Sequence, residues 1–287
     1  MPATLKLTLA YDGTGFRGSQ RQRNGRSVQE ELERALSGLY GRQARVVLAG
    51  RTDSGVHAVG QVASVEDDRP GMSGERVIRA INARLDDDLA VVRCERRDAG
   101  FHARFDATWR EYRYRIWWGT PQPLQRYRAW QRGPALDLAA MAAGAALLKG
   151  PTDLASFAGN GMGVAGGTPS GRRGTVRTIH HCSIRPVDAW WGSAPNAGEG
   201  AELRIIADGF LPQAVRTITS ALVEIGRGRR SPEWLGHLIE AGDRRMGPQT
   251  APPHGLILWR VGYGDDVPDP DPSGEQAEGD GLFRPNG

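Results

Sequence analysis

The side chains best suited to chemistry lie in one polar segment, Gly50-Arg51-Thr52-Asp53-Ser54-Gly55-Val56-His57-Ala58. Arg51 and Asp53 are two positions apart, close enough for a guanidinium and a carboxylate to serve one substrate. A carboxylate is a competent nucleophile or general base where no metal is available. Asp and Gly between strands often form only a turn, but a turn needs just one or two such residues. The segment is therefore predicted to be a functional loop centred on Asp53.

Two glycine-rich segments match the G-x-G-x-x-G pattern of dinucleotide sites. The first, Gly13 to Gly18, follows a predicted strand, but the polar, aperiodic stretch after it does not open the helix that would hold a pyrophosphate. The second, Gly161 to Gly166, has neither a strand nor a helix beside it and is typical of a flexible loop. We expect no dinucleotide site at either position.

Metal and nucleophile motifs are poorly supported elsewhere in the chain. His180, His181 and Cys182 are consecutive, and successive side chains on a strand point to opposite faces. Neither lysine follows the glycine spacing of a Walker A loop, and no G-x-S-x-G elbow occurs. The sequence therefore predicts no metal and no cofactor.

The elements around the Asp53 loop follow from periodicity and capping signals. Ser27 and Glu30 form a capping box that should open a helix with an apolar stripe. Alternation and composition predict an order of strand, helix, strand, strand, helix and strand, typical of a small α+β sandwich. In chain order these are Thr4–Tyr11, a helix from Ser27, Arg45–Leu48, Gln61–Val65, a short helix to Ala83, and Leu89–Cys94.

A second half resembles the first in element order, without a visible sequence repeat. Its predicted elements are a strand Ala107–Trp118, a helix capped by Asp137, strands Val176–Arg185 and Glu202–Ala207, a helix Leu211–Ile225, a helix from Ser231, and a strand Leu256–Val261. We place an N-terminal catalytic domain at 1–103 and a second domain at 104–264. Residues 265–287, rich in Asp, Glu, Pro and Gly, are expected to form an acidic disordered tail.

Charge and composition narrow the class of partner. The net charge is +4, and removing residues 265–287, with seven acidic residues and one arginine, leaves about +10 for the folded part. A basic body suggests a polyanionic partner, although 35 arginines against two lysines also reflect what a GC-rich genome encodes. No apolar run is long enough for a membrane span, no secretory signal is evident, and Cys94 and Cys182 form no CxxC pair. We expect a cytoplasmic protein with reduced thiols.

Several ordered motifs resemble those of the TruA-type tRNA pseudouridine synthases. The Asp53 segment resembles the family signature G-R-T-D-[AS]-G-V-H-A. Further matching motifs run from residue 4 to 262 and include Tyr11-Asp12-Gly13-Thr14, Gln20-x-Gln22, Ser27-Val28-Gln29-Glu30, Ile81 to Leu85, Phe101 to Phe105, Tyr112-Arg113-Tyr114, Phe210-Leu211 and Val215-Arg216. The chain departs from the family at Ser19, where Trp is usual, and at Pro212-Gln213-Ala214, where a bulky pair ending in Met is common.

The resemblance implies a fold and a reaction. The fold would be α+β, with two sandwich domains whose antiparallel sheets join across a central active-site cleft, in a homodimer. The reaction would isomerise uridine to pseudouridine at positions 38, 39 and 40 of the tRNA anticodon stem-loop, without cofactor or metal. Asp53 would act as nucleophile or as base, and the sequence does not choose between them.

The resemblance also implies roles for other residues. Arg51 would fill the space left by the flipped nucleotide, Tyr112 would pack on the base and supply a hydroxyl, and Arg216 would pair with Asp53 and keep it ionised. Tyr112 could instead be a core aromatic, and Arg216 a surface phosphate clamp. The remaining substrate-binding candidates are His57 and the basic-loop residues Arg17, Arg21, Arg23 and Arg26. Two alternatives stay open, namely a pseudouridine synthase with a different RNA target and a catalytically inactive RNA-binding module.

Overall fold

The structure is a computed structural model that describes residues 3–159, 174–189 and 198–268. The glycine-rich segment from Gly161 to Gly166, expected to be a flexible loop, lies outside these ranges. Of the expected acidic tail, residues 265–268 are described and residues 269–287 are not.

The described residues of the N-terminal half form four strands and two α-helices, in the predicted order. Their bounds are β1 Thr4–Tyr11, α1 Val28–Tyr40, β2 Val47–Leu48, β3 His57–Glu66, α2 Gly74–Asn82 and β4 Leu89–Arg97. The predicted capping of α1 is present, because the Ser27 hydroxyl accepts a 3.3 Å hydrogen bond from the Glu30 backbone N–H. Strand β1 lies between β3 and β4 and is antiparallel to both.

The described residues of the C-terminal half add six strands and three α-helices. They are β5 Trp109–Trp118, β6 Trp130–Arg132, α3 Leu138–Ala146, β7 Gly150–Asp153, β8 Val176–Val187, β9 Glu199–Ala207, α4 Ala214–Gly226, α5 Pro232–Ala241 and β10 Leu256–Gly262. The short strands β6 and β7 were not predicted, because neither Trp130–Arg132 nor Gly150–Asp153 has a recognisable alternation at that length.

The ten strands of the described residues belong to one mixed sheet, with the order β4-β1-β3-β10-β5-β9-β8-β7 and with β2 on β3 and β6 on β5. The two halves join where β10 pairs in parallel with the start of β3, through Ile257 opposite His57 and Leu258 opposite Ala58. Strands β5 and β6 also pair in parallel. The α+β class is thus confirmed, with the two expected sheets continuous across the join. The division at residue 103 stays a prediction.

One contiguous apolar core extends through both halves. In β1, Leu5, Leu7, Leu9 and Tyr11 are buried and alternate with less buried residues, as the sequence predicts for a half-buried strand. In β5, Tyr112, Tyr114 and Ile116 belong to this core. Among the described helices, none is long and apolar enough to cross a membrane.

Two predicted boundaries near the site are wrong. Strand β3 begins at His57, so the last residues assigned to the loop are in the sheet. Helix α4 begins at Ala214 instead of Leu211, because Pro212 lacks an N–H and Gln213 takes the left-handed conformation at φ 64°. Left-handed backbone is uncommon for a residue with a Cβ and is often found at functional sites.

Candidate active site

Asp53 lies in the loop between β2 and β3 and forms an ion pair with a residue from the other half. The Arg216 guanidinium, from the first turn of α4, donates a 2.8 Å hydrogen bond from Nη1 to Asp53 Oδ2. The Arg216 side chain is 13% exposed, whereas that of Asp53 is 36% exposed. The carboxylate is therefore held by a largely buried cation and still faces solvent, where a substrate can reach it.

Arg216 is fixed by a segment that precedes β10. Its Nε donates a 2.8 Å hydrogen bond to the Ala251 carbonyl, and its own carbonyl accepts one of 3.4 Å from the Ala251 N–H. Two residues further on, Pro253 packs against Gly55 in the Asp53 loop, where a Cβ would lie 2.9 Å from Pro253 Cγ. The guanidinium that pairs with Asp53 is thus oriented by the backbone of the segment before β10.

Tyr112 lies on β5, within the core, and approaches the same loop. It is 8% exposed, and its ring packs edge-on against Phe210 with centroids 5.3 Å apart. Burial raises the pKa of the Tyr112 hydroxyl, with a smaller contribution from the Asp53 carboxylate, so the group remains neutral in the working range. Within the described residues the hydroxyl has no hydrogen-bond partner, and it lies near Gly50. It can therefore donate to a substrate atom.

A buried set of polar side chains holds Thr52, immediately before Asp53. The Thr52 N–H donates a 2.8 Å hydrogen bond to the Ser19 hydroxyl, and its side chain shares one of 2.9 Å with the Tyr11 hydroxyl. Gln61, which is fully buried on β3, donates from Nε2 to the Gly50 carbonyl at 2.9 Å. Burial raises the pKa of Tyr11 to about 12, so its hydroxyl stays neutral. These contacts fix the backbone on both sides of Arg51.

The first and last glycines of the first G-x-G-x-x-G match, Gly13 and Gly18, pack directly against this loop. A Cβ on Gly13 would lie 2.0 Å from the Val56 carbonyl oxygen, and one on Gly18 would lie 2.9 Å from that of Thr52. Gly18 also has φ 103°, which residues with a Cβ rarely adopt. Residues 13–15 form a single 3-10 turn and open no longer helix. The glycines serve instead to bring two loops together.

Arg51 and His57, on either side of Asp53, have very different environments. Arg51 is exposed, and its side chain has no hydrogen-bond or ion-pair partner in the part of the chain that the structure describes. His57 is buried; Nδ1 accepts a 3.0 Å hydrogen bond from the Gly13 N–H, and Nε2 lies 2.7 Å from the Tyr127 carbonyl. Arg51 is thus available to a substrate, while both His57 nitrogens already have protein partners.

The four arginines of the basic loop also differ from one another. Arg17 and Arg23 are exposed, and their side chains have no ion-pair partner among the described residues. Arg21 pairs with Glu33 at 2.9 Å and remains half exposed. Arg26 binds Asp88, Asp86 and Glu31 and lies over the Phe16 ring, and the hydrogen bonds to Asp88 raise the pKa of its guanidinium. Arg26 therefore attaches the basic loop to acidic residues of the fold, whereas Arg17 and Arg23 are free to bind a phosphate.

Other nucleophiles and metal sites are not evident in the described ranges. Burial raises the pKa of the Cys94 thiol to about 11 and that of Cys182 to about 12, so neither thiol supplies a thiolate near neutral pH. Across residues 3–159, 174–189 and 198–268, no group of three or more His, Cys, Asp or Glu side chains is arranged to hold a metal ion. The half-exposed Asp53 carboxylate is the group best placed for covalent or acid–base chemistry.

A mixed sheet with an aspartate loop where its two halves join is consistent with an α+β enzyme that acts through a carboxylate. Sequence comparison identifies the family. The family model described as tRNA pseudouridine synthase matches residues 8–106 and 145–264. A relative from Solidesulfovibrio magneticus is 42% identical over 273 residues, covering 91% of this chain and 92% of the relative. Relatives from Geobacillus kaustophilus (38% identical, 93% and 96% covered) and Bacillus subtilis (40%, 90% and 98%) share the name tRNA pseudouridine synthase A.

The chain belongs to the tRNA pseudouridine synthase family, since the family model matches most of its length. Sequence reasoning missed Ser19, Tyr11, Gln61 and Ala251 as supports of the site. Gln61 carried a usable signal, because it is a large polar residue next to the apolar run Val62-Ala63 of the same strand. The role of Ala251 left no signal in the sequence, because Arg216 bonds only to its backbone.

Proposed function

We propose that this chain isomerises uridine to pseudouridine in tRNA, with Asp53 as the catalytic residue. The observation that carries the proposal is the 2.8 Å ion pair between Arg216 and a half-exposed Asp53. In the reaction the uracil N1–C1′ bond breaks, the base rotates, and a C5–C1′ bond forms. The C5 hydrogen leaves as a proton and N1 gains one, so no oxidant or cofactor is needed. Asp53 acts either as a base that removes a proton from the sugar or as a nucleophile.

The neighbouring residues support this chemistry. A uridine within a stem must leave the base stack, which costs a few kcal/mol. The exposed, unpaired Arg51 is suited to fill the vacated space, and the neutral Tyr112 hydroxyl is suited to contact the flipped base. Arg216 holds the carboxylate in one orientation without covering it. The exposed Arg17 and Arg23 are suited to RNA phosphates, with Arg21 able to contribute after leaving Glu33.

Loss of the C5 hydrogen gives a direct assay. Transfer RNA labelled with tritium at uridine C5 should release tritium to water when mixed with the unsubstituted chain. Asp53→Asn should release none while binding tRNA within a few fold, because the amide keeps the shape but can act neither as nucleophile nor as base. Asp98→Asn, at an exposed carboxylate, is the matched control and should remain active. Binding by the unsubstituted chain without tritium release would instead support the inactive RNA-binding module.

We propose positions 38, 39 and 40 of the anticodon stem-loop as the target, as the family resemblance implies. Three neighbouring positions differ in sequence context between tRNAs, so an enzyme that reads phosphate path and shape suits them better than one that reads base edges. Transfer RNAs with swapped flanking bases should react at similar rates, and an excised stem-loop should react far more slowly. Modification of other sites in mapped RNA would favour the alternative of a different target.

The family resemblance also supports a homodimer that acts in the cytoplasm. A mass of about twice 31.1 kDa by light scattering at micromolar concentration would agree with the dimer. A concentration-independent monomer would contradict it. Cell fractionation would test the location.

A further inference from the structure

The turn from His102 to Asp106, before β5, is braced by its own side chains. His102 Nδ1 accepts hydrogen bonds from the N–H groups of Arg104 at 3.2 Å and Phe105 at 3.1 Å. Asp106 closes the turn, because its Oδ2 accepts from the His102 N–H at 2.8 Å and its N–H donates to the His102 carbonyl at 3.1 Å. Such a dense set of short-range bonds fixes the backbone of an exposed turn.

This fixed turn presents an aromatic ring to solvent. Phe105 is 77% exposed, more than any other large hydrophobic residue in the described ranges. The His102 ring stacks on it, with centroids 4.2 Å apart and planes inclined by 22°. A single exposed apolar residue is ordinary, but a Phe held rigidly outward and stacked on an imidazole is a preformed surface for another flat ring. Because the turn is already ordered in the free protein, a ring that binds there loses less affinity to the entropy of ordering the turn.

The turn is attached to the catalytic loop through Arg110. One nitrogen of this guanidinium, Nη2, donates to the carbonyls of both Arg104 at 3.0 Å and Ala49 at 3.2 Å. The other, Nη1, donates to the Asp208 carbonyl at 3.1 Å, two residues before the Phe210 that packs on Tyr112. The turn therefore lies beside the start of the segment that carries Arg51 and Asp53.

We propose that Phe105 is a stacking platform for an unpaired nucleobase of the RNA substrate, next to the uridine being isomerised. The proposal rests on the proposed function. Aromatic side chains are the usual partners of splayed-out bases, and the exposed Arg104, with Cζ 5.9 Å from the Phe105 ring centroid, supplies positive charge for the adjoining phosphate. Flipping a uridine disturbs the stacking of its neighbours, and a fixed ring at that position offsets this cost.

Charge favours RNA over a protein as the occupant. Arg104 adjoins the ring, the Arg97 guanidinium lies over the nearby Phe101, and the unpaired Arg51 follows Ala49 by two residues. An apolar protein surface docking here would have to desolvate these guanidinium groups. A second copy of this chain is kept as an outcome of the test.

The test compares Phe105→Leu, which keeps apolar volume but removes the π face, with Phe105→Trp, which enlarges it. Transfer RNA affinity is measured in the unsubstituted chain, both variants and Phe105→Ala, together with tritium release and thermal stability. Phe105→Leu and Phe105→Ala should weaken affinity by about 5- to 100-fold, and Phe105→Trp should stay within about threefold of the unsubstituted chain. Leu147→Ala, which removes another exposed apolar side chain, is the matched control and should change nothing.

Salt dependence separates stacking from charge. The loss in Phe105→Leu should be the same at low and high salt, whereas Arg104→Gln should make the salt dependence of binding shallower. Affinity of Phe105→Leu equal to that of the unsubstituted chain would overturn the proposal, as would a Trp variant as weak as the Leu variant. Loss of self-association in Phe105→Leu, with tRNA affinity intact, would assign the ring to an interface between copies. Failure of the proposed function would appear separately, as absent tritium release by the unsubstituted chain.

Discussion

Ser19 and Thr52 bind each other through two hydrogen bonds. The Thr52 N–H donates to the Ser19 hydroxyl at 2.8 Å, and the Ser19 N–H donates to the Thr52 carbonyl at 3.1 Å. Ser19 is fully buried, and Thr52 is next to Asp53. Ser19, one of the two places at which the sequence departs from the family pattern, is therefore an anchor of the Asp53 loop.

Ser19→Ala should destabilise the protein by about 1–3 kcal/mol, because it leaves the buried Thr52 N–H without an acceptor. The tritium-release rate should fall more than tRNA affinity, since the loop loses its orientation while the phosphate contacts remain. Ser54→Ala is the matched control, because among the described residues its part-buried hydroxyl donates to the Phe16 carbonyl and not to Thr52 or Ser19. Equal effects of the two substitutions on rate and stability would contradict a special role for Ser19.

Gly13→Ala should nearly abolish turnover. The added methyl would lie 2.0 Å from the Val56 carbonyl oxygen, so the Asp53 loop must shift. Gly15→Ala, in the same turn, is the comparison, since the nearest atom to its added methyl is Asp88 Oδ2 at 3.4 Å. The measurement is the tritium-release rate of the two variants, with far-UV circular dichroism to check that both are folded. An active Gly13→Ala enzyme would show that the loop tolerates the displacement.

Replacing Arg17 and Arg23 together by Gln should flatten the dependence of log Kd on log salt by roughly 1–2 units, because each phosphate contact releases counterions. Arg26→Gln should act differently, lowering thermal stability through the loss of its contacts with Asp88, Asp86 and Glu31. Titrations of tRNA at several salt concentrations provide the measurement. An unchanged slope in the double variant would place RNA binding elsewhere.

His254 should make stability depend on pH. Burial lowers its pKa below the usual 6.5, helped by the positive charge of Arg216 and the neighbouring His57. The unfolded chain therefore binds the proton more readily, so stability is complete above about pH 6.5 and falls as pH drops from there towards the lowered value. Denaturant titrations between pH 5.5 and 7.5 should show a weaker slope in His254→Gln. An identical slope would exclude the contribution.

Truncation after Pro268 should leave turnover intact and tighten tRNA binding at low salt. It removes Asp269, Asp271, Glu275, Glu278 and Asp280, whose charges repel phosphate. Truncation after Gly264 should be less stable, because the Trp109 indole N–H donates a 3.1 Å hydrogen bond to the Asp266 carbonyl. Equal stability of the two truncations would show that this bond contributes little.

The sequence predicted the Asp53 loop, the capping of α1 and the order of the long elements, because these depend on local patterns. It placed the start of β3 too late, since Gly60 resembled the end of a loop, while parallel pairing with β10 brings His57 into the sheet. It also assigned no purpose to Gly13 and Gly18. Their requirement comes from backbone carbonyls some 34 to 43 positions away, which no local pattern records.

The parallel join between β3 and β10 has a consequence for the timing of synthesis. Ile257 and His57 are paired partners 200 positions apart, and Arg216 and its Ala251 anchor also come late in the chain. As the protein leaves the ribosome, Asp53 emerges early, while β3 keeps part of one edge open until the final strand arrives. Nascent chains shorter than 216 residues thus carry the aspartate without its arginine. We expect the site around Asp53 to be complete only when translation has reached the last strand.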